Sequence, residues 1–176
     1  EVRETAEGAI YVNEEYDRLL SEGTMKNIIT SACPVINSMV EKYYPDLIPY
    51  MAPVVTPVIA HGRMLRQEYG ENVRIVSLTS CLAESVEAVK DERTKGVIDA
   101  VITFNEVRDW LRESGILVTK CETYHHKRSV NPRIVGSYAT SGGVVRSLRA
   151  KSGENDGYKR IFVDGIEQCR DVLRCV

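Results

Sequence analysis

The sequence predicts an α/β fold, a mostly parallel sheet flanked by helices, and three observations carry that expectation. Short β-prone runs alternate with stretches of helical periodicity along most of the chain. Glycine or proline closes several of the helical stretches, as the ends of real helices require. With 176 residues and 43% apolar content, the chain can also bury one domain-sized core.

Taken in order, Ala6, Ala9, Ile10, Tyr16, Leu19 and Leu20 recur at helical spacing between Glu4 and Leu20, and Gly23 supplies the stop. Asn27 to Thr30 is a short β-prone run, followed by a helical pattern from Asn37 to Tyr44 that Pro45 closes. Pro49 to Pro57 holds three prolines and cannot be one regular element. Val58 to Tyr69 reads as a helix stopped by Gly70, and Val73 to Leu78 as a compact strand running into Thr79-Ser80-Cys81. A helix is expected from Ala83 to Lys90, a strand from Ala100 to Thr103, and a helix from Asn105 to Ser114 with Gly115 as its stop. Lys120 to Thr140 is a long polar loop; Gly142-Gly143 then opens a helix to Ala150. A strand at Arg160 to Val163 and a helix from Ile166 to Arg174 complete the alternation.

With 23 basic and 25 acidic side chains the net charge is -2, which gives no field to attract nucleic acid or an anionic membrane. Apolar runs are too short to span a bilayer. Five cysteines, Cys33, Cys81, Cys121, Cys169 and Cys175, make an odd count without the dense spacing of a secreted disulfide scaffold and fit a reducing, cytoplasmic setting. Cys33 and Cys81 each occupy a strand-to-helix junction. In a parallel sheet such junctions gather beyond the carboxyl ends of the strands, so the two thiols are expected to converge. His125 and His126 read as solvated loop residues, His61 as a helix-face histidine, and Tyr43, Tyr44 and Trp110 as packing residues.

Thr30-Ser31-Ala32-Cys33-Pro34, followed by Glu41-Lys42-Tyr43-Tyr44-Pro45, resembles the first motif of the iron-only hydrogenases, TSCCP followed by a helix and EKYYP. Val76 to Ala88, centred on Thr79-Ser80-Cys81-Leu82-Ala83-Glu84, is similar to that family's second motif, PCxxKxxE. Val97 to Ile116 resembles its GVDAVIT region, and Thr140-Ser141-Gly142-Gly143-Val144 its TGGV segment. The third motif, ExxxCxGGC, and the start of the family's domain are not found, so residues 1–176 read as an internal piece of that domain.

The resemblance implies a [4Fe-4S] cluster joined to a two-iron site in the full-length protein, held by four thiolates that suit iron in a reduced setting. Cys33 and Cys81 match the first two ligands and are the expected metal ligands; Thr56 and Glu84 join them as cofactor-binding positions. Two thiolates alone are too few, so the piece by itself is expected to hold no cluster. Cys121, Cys169 and Cys175 match no family ligand and are expected to be small buried hydrophobes.

The departures bear on turnover. Where hydrogen-producing members carry a relay cysteine this chain has Ala32, and where they carry a relay serine it has Ala52, so neither position can pass a proton. The lysine of the second motif falls on Glu84 and the proline before the cysteine on Ser80; an ionised carboxylate is acceptor-only and repels an anionic ligand. Whether the chain is an enzyme stays open; if it is, the resemblance implies a hydrogenase-family oxidoreductase with a degraded proton relay. Three functions follow from the resemblance: a hydrogen or redox sensor beside a ferredoxin-type electron-transfer module and PAS-type signalling domains, a slow hydrogenase, or a cluster-free scaffold.

Overall fold

The computed structural model describes residues 1–122, 137–148 and 157–176. In chain order the elements are α1 (Ala6–Glu22), α2 (Pro34–Tyr43), a 3-10 turn over Pro45–Tyr50, α3 (Pro57–Tyr69), β1 (Val76–Thr79), α4 (Leu82–Lys90), β2 (Ala100–Thr103), α5 (Phe104–Glu113), a 3-10 turn over Val118–Lys120, α6 (Gly143–Ser147) and α7 (Ile166–Leu173). The chain divides into two compact units, Glu1–His61 with Val130–Val176, and Gly62–Ser129, the division falling inside α3. Among the described residues no helix is long and apolar enough to cross a membrane.

The first unit is built on α1. Ala9, Val12, Tyr16 and Leu19 fall on one face at helical spacing and are all buried. Val12, Tyr16 and Leu19 form a cluster with Ala52, against which Ala32, Val54, Tyr138 and Val144 pack. Gly23, in the left-handed region at φ 60°, ends the helix and returns its N–H to the Leu19 carbonyl. A second cluster joins Met39 and Val40 of α2 to Leu173 of α7. Gly8 marks a close approach: a Cβ there would sit 2.2 Å from the Pro57 carbonyl oxygen and 2.7 Å from His61 Cβ. His61 is itself buried on α3.

The second unit holds the sheet, a parallel β1–β2 pair in the register Val76↔Ala100 to Thr79↔Thr103 with α4 as the crossover. Thr79 is buried and Ser77 half-buried, whereas Val76 and Leu78 on the opposite face are 55% and 49% exposed. Asp99 fixes the entry to both strands. Its carboxylate accepts hydrogen bonds from the Ile75 N–H at 2.8 Å, from Arg74 at 2.7 Å and from Arg66 at 2.9 Å. The Ile75 N–H first, then Arg74, hold its carboxyl below the usual aspartate value. At the far end of β2, Thr103 and Glu106 form a reciprocal capping box that starts α5.

The α/β class and the parallel pairing agree with the sequence-based expectation, and two expected strands do not form. Asn27 to Thr30 contributes only an isolated parallel bridge, Ile29 to Met51. No ladder can extend from it, because its partner segment carries Pro49 and Pro53, which lack N–H groups, and because Ser31 spends its own N–H elsewhere. Arg160 to Val163 pairs with no strand among the described residues, and Ile161 and Phe162 stand exposed. A β-prone run without a neighbouring edge gains nothing from the extended form. Helix α2 begins at Pro34, three residues earlier than its apolar pattern suggests, since Pro at the first helical position is tolerated there. The helix expected to reach Ala150 is described to Ser147, and most of the loop from Lys120 to Thr140, with His125 and His126, lies outside the described residues.

Tyr43 and Trp110, expected to pack, are 74% and 64% exposed: Tyr43 is the last residue of α2, whose buried positions are Met39 and Val40, and α5 buries none of its residues; Tyr44 packs as expected against the α2–α7 cluster. Cys121 and Cys175, expected to be buried, are exposed. Cys121 directly follows the 3-10 turn and Cys175 lies two residues past the end of α7, so neither is carried on the inward face of a regular element.

Two measurements check this account. Gly8→Ala should destabilise the protein by roughly 1–3 kcal/mol in urea unfolding followed by far-UV circular dichroism, since the added methyl group meets backbone rather than a side chain that can yield. Asp99→Asn should be less stable than the parent at neutral pH. A depressed folded-state carboxyl contributes stability above its unfolded pKa and loses it as pH falls through the folded value. The gap between the two proteins should therefore close as pH falls below about 4, the unfolded aspartate range, when urea unfolding is followed by far-UV circular dichroism.

Candidate functional site

The segment bearing Cys33 has no sheet to hold it and is held by polar contacts to Ser31. The Ser31 N–H donates to the Tyr16 phenol oxygen at 2.9 Å, its Oγ donates to the Val54 carbonyl, and its own carbonyl accepts from Asn37 Nδ2 at 2.9 Å. Tyr16 Oη and Ser31 Oγ also lie 3.4 Å apart. Burial raises the Tyr16 phenol above its usual value, the bonds to Ser31 opposing. The bridge at Ile29 adds two backbone bonds, from the Ile29 N–H to Tyr50 at 2.7 Å and from the Ala52 N–H to Ile29 at 2.8 Å. Cys33 follows as the N-cap of α2, exposed, with extended backbone at φ -112°, ψ 116° and its carbonyl accepting the Asn37 N–H.

Cys81 is built the same way. It is the N-cap of α4 at φ -108°, ψ 110°, nearly the same backbone as Cys33, and is half-buried. Its N–H donates to Thr79 Oγ1 at 2.9 Å, so the last residue of β1 orients it. Here the expected strand-to-helix junction is present; at Cys33 the helix is present and the strand is not. Both thiols sit at the first turn of a helix, whose unpaired N–H groups favour a neighbouring negative charge. Cys33 belongs to the first unit and Cys81 to the second.

Ala32 and Ala52 come together. Ala52 is buried in the cluster with Val12, Tyr16 and Leu19, and Ala32 packs against that cluster. Thr56 is fully buried just ahead of α3, and its carbonyl accepts the Ala60 N–H at 2.9 Å. In the second unit Glu84 stands three residues into α4 from Cys81. Burial raises its carboxyl above the usual glutamate value, while the Thr79 and Ser77 hydroxyls favour the ionised form. Its Oε2 has no hydrogen-bond partner among the described residues. Gly143, in the glycine pair, lies where a Cβ would meet the Ser137 carbonyl oxygen at 1.9 Å, so only glycine fits.

The full length of the chain, residues 1–176, matches the family described as "Iron only hydrogenase large subunit, C-terminal domain". The chain belongs to that family. It is 31% identical over 131 residues to the periplasmic [Fe] hydrogenase large subunit of Nitratidesulfovibrio vulgaris, covering 67% of this chain and 31% of that protein. It is 32% identical over 108 residues to the cytosolic Fe-S cluster assembly factor NAR1 of Vanderwaltozyma polyspora, covering 57% of this chain and 20% of that one. Among solved structures, apo [FeFe]-hydrogenase HydA1 from Chlamydomonas reinhardtii aligns with a TM-score of 0.57 at 25% identity, over 81% of this chain and 40% of the other. The [FeFe]-hydrogenase HydA(deltaEFG) aligns at 0.53 and 28% identity, over 81% and 38%. The chain thus spans about a third of the hydrogenase subunit it matches.

As donors for the family's iron-sulfur group, the two cap thiols fit: they are soft, free, and set at helix starts that tolerate negative charge. Among the described residues no group of three or more His, Cys, Asp or Glu side chains is gathered to hold a metal ion, so the fit rests on Cys33 and Cys81 as two separate donors. The hold on Ser31 was missed by sequence reasoning, although Tyr16 at the centre of the α1 stripe offered a signal: a phenol placed in a core needs a polar partner.

Tyr16→Phe should cost about 1–3 kcal/mol, the penalty for leaving the buried Ser31 N–H without an acceptor. Urea unfolding measures the loss, and a faster reaction of Cys33 with a thiol reagent in the native protein should accompany it.

Proposed function

We propose that this chain is part of an iron-sulfur-binding, hydrogenase-like domain that senses hydrogen or redox state in its full-length protein and turns hydrogen over slowly. The observation that carries the reading is the pairing of Ala32 and Ala52 in one apolar cluster around Tyr16. Where the resemblance puts two relay groups, this chain has packed methyl groups, and an alanine neither gives nor takes a proton. Cys33 and Cys81, retained at matching helix caps, support binding of the cluster, with further thiolates required to complete it. When bound, that group would supply electron transfer and hydrogen binding. This chain's own part would be to hold two thiolates, keep water from the Ala52 side, and set a carboxyl at Glu84 where the family has a lysine.

Sensing implies partners in the same polypeptide: a ferredoxin-type module to carry electrons and PAS-type signalling domains to read the state of the site. A second reading, a domain in Fe-S cluster assembly without hydrogen chemistry, is supported by the likeness to the NAR1 assembly factors, 32% and 28% identical over 108 and 110 residues.

The test is hydrogen evolution by the anaerobically purified full-length protein, normalised to bound iron. The expected rate is about 10²–10⁴-fold below a relay-complete family member, the usual contribution of a positioned acid-base group. Ala32→Cys should raise the rate per iron, and Cys33→Ser or Cys81→Ser should lower the iron content itself. Parent rates equal to those of a relay-complete enzyme would reject slow turnover, and iron content untouched by both serine variants would reject ligation.

A further inference from the structure

Helix α3 and the turn that leads into β2 bound a cleft of about 410 Å³ that lies wholly within the second unit. Arg63, Arg66 and Gln67, three and four residues apart, share one face of α3 and form one wall. Lys95, Gly96 and Val97 form the other. The walls approach closely, since a Cβ on Gly62 would lie 2.7 Å from Ile98 Cδ1 and 2.8 Å from Val97 Cγ1. Arg66 ties them together. It donates from Nε to the Val97 carbonyl at 3.0 Å, from Nη1 to the Glu71 carbonyl at 2.8 Å and from Nη2 to Asp99 at 2.9 Å. With its charge matched and its donors spent, Arg66 builds the cleft and leaves ligand recognition to its neighbours.

Those neighbours hold donors in reserve. Arg63 reaches across to the turn with a single bond, from Nη2 to the Arg93 carbonyl at 3.3 Å, and pairs with no carboxylate among the described residues. That contact sets its guanidinium beside the segment that carries Lys95, two residues further on. Lys95 has Glu92 at 3.5 Å, the two side chains 60% and 82% exposed, and such a pair is worth little in water. The Gln67 amide makes no hydrogen bond among the described residues. Gly96, at φ 82°, has nothing within 4 Å of where a Cβ would stand, so a ligand can come up to bare backbone there. Of the lining residues only Glu71 carries a carboxylate, and the cleft is left net positive on a chain whose overall charge is -2.

We propose that this cleft binds a small phosphorylated molecule, its phosphate oxygens held by Arg63 and Lys95 and by the Gln67 amide. Three donor groups from two walls suit the three terminal oxygens of a phosphate, whereas a planar carboxylate would be satisfied by the Arg63 fork alone. The volume falls within the usual range of small-molecule sites, about 300–1,000 Å³, and leaves room for a body beyond the phosphate. Cys81 is not among the lining residues, so binding here is separate from ligation of iron.

The experiment titrates the full chain with pyrophosphate at low ionic strength and follows the backbone amides by ¹⁵N NMR, with citrate as a carboxylate arm. Saturable shifts are expected at Arg63, Gln67 and Lys95 to Val97, with citrate binding more weakly. Arg63→Gln and Lys95→Gln should each weaken pyrophosphate binding about tenfold, the loss of one charge-assisted hydrogen bond. Both positions are exposed, so unchanged far-UV circular dichroism is expected to accompany the loss. Arg108→Gln, which removes a cation of the same unit outside the cleft, should leave binding as it was. Shifts that fail to saturate, or an Arg108→Gln effect equal to that of Arg63→Gln, would reduce the cleft to general surface charge and overturn the proposal. Citrate binding as tight as pyrophosphate would overturn the assignment to phosphate.

Discussion

A phenol oxygen carried by α1 accepts the Ser31 N–H, and through that contact a strongly periodic helix directs a loop that has no sheet to guide it. The bond is buried on both sides, so its loss would strand a donor away from water. Around it the remaining polar groups of Ser31 are spent on Val54 and Asn37, which bind together α1, the start of α2 and the proline-rich segment. The placement of Cys33 follows two residues later. Chemistry at the thiol thus depends on packing in the α1 face, one helix away.

Much of this was legible in the sequence. The α1 stripe, the stops at Gly23 and Gly70, the βαβ unit from Val76 to Thr103 and the junction at Cys81 all rest on local signals that no distant contact overrides. The capping box at Thr103-Phe104-Asn105-Glu106 was equally local and fixes the start of α5 one residue ahead of the expected one. The two absent strands were not readable, because a strand is a statement about a neighbour. Nothing in Asn27 to Thr30 says that the segment facing it is broken by Pro49 and Pro53, and nothing in Arg160 to Val163 says that no edge among the described residues pairs with it.

The candidate site was legible in its residue types and less so in its environment. Motif spacing singled out Cys33 and Cys81, but their common backbone at the helix caps required coordinates. Ala32 and Ala52 read as losses when considered singly; in the structure Ala52 is buried in the α1 cluster and Ala32 packs against that cluster. Glu84 read as a repelling carboxylate, yet its surroundings pull it both ways, burial toward the neutral acid and two hydroxyls toward the ion. Cys169 carried no motif; it is half-buried against the cluster that α2 and α7 share.

The outward side of the β1–β2 pair, with Val76 and Leu78 half open to water, sets a practical condition for anyone handling this polypeptide. Parallel strands are ordinarily covered on both faces. Leu82, Val86 and Val89 of α4 add further exposed apolar area in the same unit. Such surfaces make purification a question of colloidal behaviour: low protein concentration, low temperature and avoidance of strongly salting-out buffers should keep the chain dispersed, since hydrophobic association weakens on cooling and strengthens with excluded salts.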